Sequence, residues 1–99
     1  MKHKETKATA ITPSLKITVY QRDKGRCIIC GAPGLPEAHY IRRSQGGLGI
    51  EQNIVTLCRD CHREFDEGKR HAEYKEKIKE YLEAFYPNFS DYDRVYHKY

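Results

Sequence analysis

The sequence predicts a small α+β domain, and three observations support that prediction. The chain has 99 residues, which is enough for one hydrophobic core. Segments with helix signals flank two short apolar stretches of strand character. Leu, Ile, Val and Phe supply only 19 of the 99 residues while 32% are charged, so burial alone offsets little of the entropy lost on folding. Domains of this composition usually carry a disulfide, a metal or a partner as a staple.

Hydropathy and the first residues restrict the class of protein. The apolar runs are too short to span a bilayer, so we expect no membrane association. Residues 1–8 are charged and lack the apolar stretch of a signal peptide. We therefore expect a cytoplasmic protein whose thiols stay reduced, and there the four cysteines favour a metal site over disulfides.

The charge is distributed unevenly along the chain. The net charge is +4, but residues 1–50 carry nine Lys/Arg against three Asp/Glu, whereas residues 51–99 carry nine against eleven. A polyanion would be drawn to the first half. Charge alone does not separate a nucleic acid partner from an ordinary solvated surface.

The first elements follow from local signals. Residues 1–10 are polar and lack an apolar period, and we interpret them as a flexible basic arm. Residues 11–99 form a single domain in this interpretation. A helix begins at Thr12-Pro13, because Thr caps helix N-termini and Pro fits the first turn, and Gly25 ends it.

The middle of the chain contains two predicted strands, over residues 37–41 and 54–57. A glycine-rich loop over residues 44–49 separates them and permits positive φ angles. A short helix follows from residue 58 to about residue 66 and breaks near Gly68.

The clearest helix covers about residues 71–86, and Pro87 ends it. Its apolar residues recur at helical spacing opposite a Lys/Glu face, which indicates core packing. The stripe consists of Tyr74, Ile78, Tyr81, Leu82 and Phe85. Residues 87–99 are an aromatic, polar tail that packs back on the domain or stacks on bases.

The four cysteines form two Cys-x-x-Cys pairs, Cys27 with Cys30 and Cys58 with Cys61, and 27 residues separate the pairs. Two such turns complete a tetrahedral four-thiolate zinc site. Two disulfides or a redox pair are the alternatives, but the expected reducing compartment argues against the first and the two equivalent pairs against the second. With four thiolates no coordination position stays open, so we predict a structural zinc that performs no chemistry.

The stretch between and around the cysteine pairs carries a more specific pattern. Residues 37–47 read EAHYIRRSQGG, and residues 53–62 read NIVTLCRDCH. Together they resemble the HNH endonuclease family, in particular its small four-cysteine members from bacteriophages and prophages. The name-giving residues fall on His39, Asn53 and His62. The resemblance covers about residues 22–66, and the combined pattern is far more specific than any one piece of it.

The resemblance implies a ββα-metal (His-Me finger) core stapled by the zinc site, with flanking N- and C-terminal helices. It implies that His39 is the general base that activates water, since imidazole titrates near neutral pH. Asn53 would hold the glycine-rich loop and so fix the direction of His39. His62 would bind one catalytic divalent ion, Mg²⁺ or Mn²⁺ with Ni²⁺ as a further option, and the products would carry 5′-phosphate and 3′-hydroxyl ends.

The chain departs from the family pattern at Ala38, where many members have a second ligand of the catalytic ion. Asp66, one helical turn after His62, is our first candidate for a replacement ligand, and Glu37 is the second. Arg42 and Arg43 are the candidate phosphate contacts, because positioning contacts to nucleic acids come mainly from Arg and Lys.

The resulting functional prediction is a metal-dependent endonuclease that acts on DNA, with double-stranded DNA as the expected form, in the cytoplasm of a bacterial host cell. Phage packaging proteins are possible partners. The alternative is a non-catalytic, zinc-stabilised module that binds DNA or a protein, with Ala38 marking a decayed ion site. An RNA-cleaving enzyme would use the same chemistry. Sequence specificity, nicking against double-strand cutting, the physiological metal and the oligomeric state do not follow from the sequence.

Overall fold

The computed structural model of the protein describes residues 4–97, with side chains from Lys7 onward. Four helices, two strands and two 3₁₀ turns make up this part of the chain. In chain order they are α1 (Lys4–Thr9), α2 (Pro13–Arg22), β1 (Leu35–His39), the turn Arg43–Gln45, β2 (Ile54–Leu57), α3 (Arg59–Glu67), α4 (His71–Phe85) and the turn Tyr92–Arg94. No helix in the described part is both long and apolar enough to cross a bilayer.

The two strands form an antiparallel sheet that α3 follows directly, which confirms the predicted small α+β class. The register pairs Ala38 with Val55 and His39 with Ile54. All four residues of β2 are buried, because α2 and α3 both pack on this strand. Strand β1 ends at His39, which lines the same cleft as His62 of α3.

Strand β1 lies two residues earlier than predicted, at Leu35–His39 rather than 37–41. Tyr40 N still donates to the carbonyl of Asn53, the residue opposite it in the register, but Ile41 N donates to the Asn53 side chain, and the regular pairing ends there. Strand β2 has the predicted bounds.

The core lies between the sheet, α3 and α4. Tyr74, Ile78 and Leu82 of the predicted stripe are buried, whereas Phe85 is 48% exposed at the end of α4. The buried cluster comprises Cys27, Ala38, Tyr40, Ile41, Val55, Leu57, Cys61, Phe65, Tyr74, Ile78 and Leu82. Two of the predicted zinc ligands are thus part of the core itself.

A buried ion pair joins α2 to the sheet and to α4. Asp23 pairs with Arg22 at 2.7 Å and also accepts hydrogen bonds from Thr56 N and the Tyr81 hydroxyl. The Arg22 guanidinium donates to the carbonyls of Glu51 and Ile54. Buried charges persist only when they are paired and hydrogen-bonded in this way.

The N-terminal segment differs from the predicted flexible arm. Residues 4–9 form α1, and the carbonyl of Ala8 accepts a hydrogen bond from Gly49 N at 2.8 Å. Thr9 is buried. Long-range contacts with the glycine-rich loop hold this segment, and no local sequence signal indicates them. Residues 1–3 lie outside the described part of the chain.

The C-terminal tail packs back on the domain through the same loop. Leu48 N donates to the Arg94 carbonyl, and Tyr96 N donates to the Gly46 carbonyl. The Arg94 side chain is 1% exposed and donates from Nε to the carbonyl of Gln52 at 2.6 Å. The glycine-rich loop is therefore fixed by both ends of the chain.

Candidate active site and metal centre

The four cysteines lie together at one end of the sheet. Their sulfur atoms all lie within 4.8 Å of one another, and the Sγ atoms of Cys30 and Cys58 are 3.6 Å apart. Four sulfurs at about 2.3 Å from a tetrahedral zinc ion stand ~3.8 Å apart. Both the spacing and the all-thiol donor set thus suit zinc.

Local backbone geometry brings the sulfurs together. Gly31 adopts φ = +84°, and its N–H closes the first turn on the Cys27 carbonyl. Cys58 caps α3, and its sulfur accepts a hydrogen bond from Cys61 N. Burial acts to raise the pKa of the Cys27 thiol, but hydrogen bonds from backbone N–H groups, first those of Cys30 and Cys58, lower it to about 7.

A second set of predicted site residues lines an open cleft of about 380 Å³. The end of β1, the start of the loop and one face of α3 form its walls. The lining residues are Glu37, His39, Arg42, Arg43, Ser44, His62, Asp66 and Glu67. The structure therefore brings every predicted catalytic-ion and phosphate residue into one cleft, while Asn53 lies behind it.

His39 is half-buried in this cleft. Its Nε2 lies 2.8 Å from the carbonyl oxygen of Thr9, which can only accept a hydrogen bond. Nε2 therefore carries the proton of the neutral ring, and Nδ1 is left as the basic nitrogen. Burial lowers the pKa of His39, the Thr9 hydrogen bond opposes this, and the positive charges of Arg43 and His62 lower the pKa further.

His62 and Asp66 are paired on the cleft side of α3. Nε2 of His62 lies 3.3 Å from Oδ2 of Asp66, and both side chains are partly exposed. An imidazole and a carboxylate are a donor set that suits a divalent ion. Among the described side chains, only the four cysteines form a group of three or more that could share an ion, so this pair offers two ligands.

The surroundings of His39 show which residue could replace the metal ligand that Ala38 does not provide. Ala38 is fully buried in the core and does not line the cleft. Glu37 lines the cleft, but its carboxylate is 3.4 Å from Nζ of Lys16. Asp66 is therefore the better placed of the two candidate replacements, because it already contacts His62.

Asn53 is fully buried and holds the loop through its side chain. Its Oδ1 accepts from Ile41 N at 2.9 Å, and its Nδ2 donates to the carbonyls of Ile41 and Leu48 at 3.2 and 2.9 Å. Gly47 packs so closely that an added Cβ would lie 1.6 Å from the Ile41 carbonyl oxygen. Both features fix the chain that follows His39.

Arg42 and Arg43 stand at the mouth of the cleft and are both exposed. One guanidinium nitrogen of Arg42 donates to the Asp66 carbonyl at 2.8 Å, and Nε of Arg43 donates to the Thr9 hydroxyl at 3.2 Å. A guanidinium has five N–H donors, so each of these bonds leaves others for a phosphate.

Sequence reasoning missed two further arginines beside the cleft. Arg59 and Arg63 line an adjoining cavity of about 350 Å³ that shares His62 and Asp66 with the first. Arg59 lies three residues before His62, and Arg63 lies three residues before Asp66, so helical spacing could have placed both arginines beside this pair. The contact between Thr9 and His39 was also missed, and it has no such signal.

A sequence model of the HNH endonuclease family matches residues 27–66. The chain carries an HNH endonuclease domain. The HNH domain spans both cysteine pairs, His39, Asn53 and His62, so the resemblance stated from the motif is confirmed.

The HNH domain also has a curated relative. The chain is 33% identical over 88 residues to the type IV methyl-directed restriction enzyme EcoKMcrA of Escherichia coli (strain K12). The match covers 79% of this chain and 29% of the relative, so the chain spans less than a third of that protein. Family and relative together support a nuclease. The residues before 27 and after 66, including α1, α2, α4 and the tail, lie outside the family match.

Proposed function

We propose that the chain is a metal-dependent endonuclease that hydrolyses DNA phosphodiester bonds. The observation that supports this best is the single cleft that contains His39, the His62–Asp66 pair and the two arginines of the loop. It combines a base, a pair of side chains that could bind a cation, and N–H groups that could bind the phosphate. These are the three groups that the reaction needs.

His39 is the general base of the proposed reaction. Its Nδ1 takes a proton from the attacking water, while Nε2 stays bonded to the Thr9 carbonyl. The lowered pKa keeps the ring neutral, and therefore able to accept a proton, at neutral pH. Asn53 is a positioning residue, because it fixes the backbone that follows His39.

His62 and Asp66 would hold one divalent cation, Mg²⁺ or Mn²⁺, with Ni²⁺ as a further option. When bound, the ion neutralises charge on the scissile phosphate and stabilises the leaving 3′ oxygen, so the products carry 5′-phosphate and 3′-hydroxyl ends. The four cysteines would hold a structural zinc that takes no part in this chemistry.

DNA would lie across the cleft with arginines on both sides. Arg42 and Arg43 flank His39, and Arg59 and Arg63 flank His62 along α3. Their charge complements phosphate, and such contacts position the backbone without reading the sequence. The restriction-enzyme relative supports DNA as the substrate class. Because the chain covers 29% of that relative, we propose that the two share the cutting chemistry alone.

The remaining parts of the proposal rest on the resemblance and on the thiols. Coding by a phage or prophage, with packaging proteins as partners, follows from the resemblance to small four-cysteine HNH proteins. Four cysteines that bind zinc need a reducing compartment, and the cytoplasm of a bacterial host cell provides one.

A plasmid assay tests the function. Supercoiled DNA is incubated with the purified protein and Mg²⁺, Mn²⁺ or Ni²⁺, with EDTA as the control, and an RNA of equal length is tested in parallel. We expect nicked or linear plasmid with at least one ion and none with EDTA. Plasmid that is retarded in a gel but stays uncut with every ion would support the binding-module alternative, for which the buried Ala38 is the structural argument. If the protein cleaves the RNA but not the plasmid, the substrate is RNA and not DNA.

A further inference from the structure

The N-terminal segment contacts two residues that line the cleft, His39 and Arg43, although it lies outside the family match. Thr9 is 3% exposed, and its carbonyl oxygen accepts a hydrogen bond from Nε2 of His39 at 2.8 Å. Its hydroxyl oxygen accepts a hydrogen bond from Nε of Arg43 at 3.2 Å. One residue thus contacts both the proposed base and a proposed phosphate-binding side chain.

The glycine-rich loop holds this segment in place. Gly49 N donates to the Ala8 carbonyl at 2.8 Å, and an added Cβ on Gly49 would lie 1.9 Å from the Ala10 carbonyl oxygen. The two backbones therefore touch on both sides of Thr9, and only glycine permits that approach. The same loop is fixed from behind by Asn53 through the Leu48 carbonyl. The position of Thr9 is thus coupled to the loop that follows His39.

We infer that the Thr9 backbone carbonyl is a positioning group for His39, and that the docked N-terminal segment is an integral part of the active site. The inference rests on the proposed role of His39. A neutral imidazole carries its proton on one of its two nitrogens. The hydrogen-bond partner that each nitrogen faces decides which nitrogen carries it. A carbonyl facing Nε2 selects the Nε2–H tautomer, and Nδ1 then has the lone pair that accepts the proton from water.

The geometry also gives two ways to move the carbonyl without touching the ring. Thr9 is the last residue of α1, and a residue before proline is disfavoured in the helical conformation. Ala10→Pro therefore turns the Thr9 carbonyl away from His39. Gly49→Ala displaces the same segment from the opposite side, through the Ala10 carbonyl.

The test is NMR of the ring nitrogens of His39 in the full, zinc-loaded chain, by long-range ¹H–¹⁵N correlation above neutral pH. We expect the Nε2–H tautomer in the wild type and a mixture of tautomers in Ala10→Pro and Gly49→Ala. Ile78→Val, buried on α4 away from the cleft, is the control for a modest loss of stability and should keep the wild-type tautomer. Persistence of the Nε2–H tautomer in both Ala10→Pro and Gly49→Ala would overturn the inference.

Plasmid cleavage gives the functional half of the test. With supercoiled plasmid and the ion that supports wild-type cleavage, kcat should fall roughly 10- to 100-fold in both variants, since misplacing a reacting group by about 1 Å has an effect of that size. KM for the plasmid should change little. Mixed tautomers with an unchanged kcat would refute the positioning role. Absence of cleavage by the wild type would instead contradict the proposed function, and the tautomer measurement would still decide whether Thr9 orients the ring.

Discussion

The cysteine cluster and the cleft differ in how many candidate metal ligands each one brings together. The cysteine cluster presents four sulfurs within 4.8 Å, and Cys27 and Cys61 belong to the buried core. The cleft presents the His62–Asp66 pair, partly exposed and open to solvent. A complete set of thiolates closes the coordination shell, whereas an incomplete set leaves positions for water and substrate. The first arrangement therefore suits an ion that holds the fold, and the second suits an ion that takes part in the proposed reaction.

Removing a ligand from the complete site should have the largest effect. Cys58→Ser should leave the domain unfolded at 25 °C, because structural zinc contributes about 10–16 kcal/mol in small domains whose total stability is about 5–15 kcal/mol. Serine caps a helix well, so loss of the α3 cap cannot explain the result. Circular dichroism and zinc content by mass spectrometry measure it. A melting curve like that of the wild type would show that the cluster is not the staple.

Removing the base of the open site should abolish chemistry and keep the fold. His39→Ala should lower the cleavage rate about 10²- to 10⁴-fold, the usual contribution of general base catalysis. Zinc content and melting temperature should stay close to the wild type, because the ring is only half-buried. His97→Ala, on the exposed part of the tail, is the matched control. Undiminished cleavage by the His39 variant would remove this residue from the role of base.

Weakening the two-ligand site should raise the demand for metal. Asp66→Asn removes the charge that faces His62 and should raise the Mg²⁺ concentration for half-maximal cleavage by roughly 10-fold. Glu67→Gln changes a carboxylate on the same cleft that does not pair with His62, and serves as the control. Equal metal dependence in the two variants would mean that Asp66 does not bind the ion.

The smallest expected effect concerns pH. Burial, followed by the charges of Arg43 and His62, lowers the pKa of His39 below its ordinary value of 6.5. The base acts only when it is neutral, so cleavage should be lost as the pH falls through this lowered pKa. The half-maximal point of the acidic limb of kcat/KM should accordingly lie below pH 6.5. A limb centred at or above that value would show that the ring is not held in the environment described.

Much of the fold was predictable because its signals are local. The bounds of β2, the start of α2 at Thr12-Pro13 and the end of α4 before Pro87 follow from neighbouring residues. The ligand pairs of the cysteine cluster are local too, since each turn spans four residues. The bounds of β1 were less predictable, because the Asn53 side chain, twelve residues away along the chain, binds the N–H of Ile41.

The sequence by itself determined the small α+β class, the four-cysteine cluster and the assignment of His39, Asn53 and His62 to the HNH motif. Motif spacing and turn chemistry depend only on short stretches of chain. Tertiary structure alone decided that Thr9 faces His39 across 30 residues and that Tyr81 binds Asp23 across 58. It also decided that Asp66, rather than the ion-paired Glu37, meets His62. Contacts between distant segments depend on how whole elements pack, and no local pattern of residues specifies that.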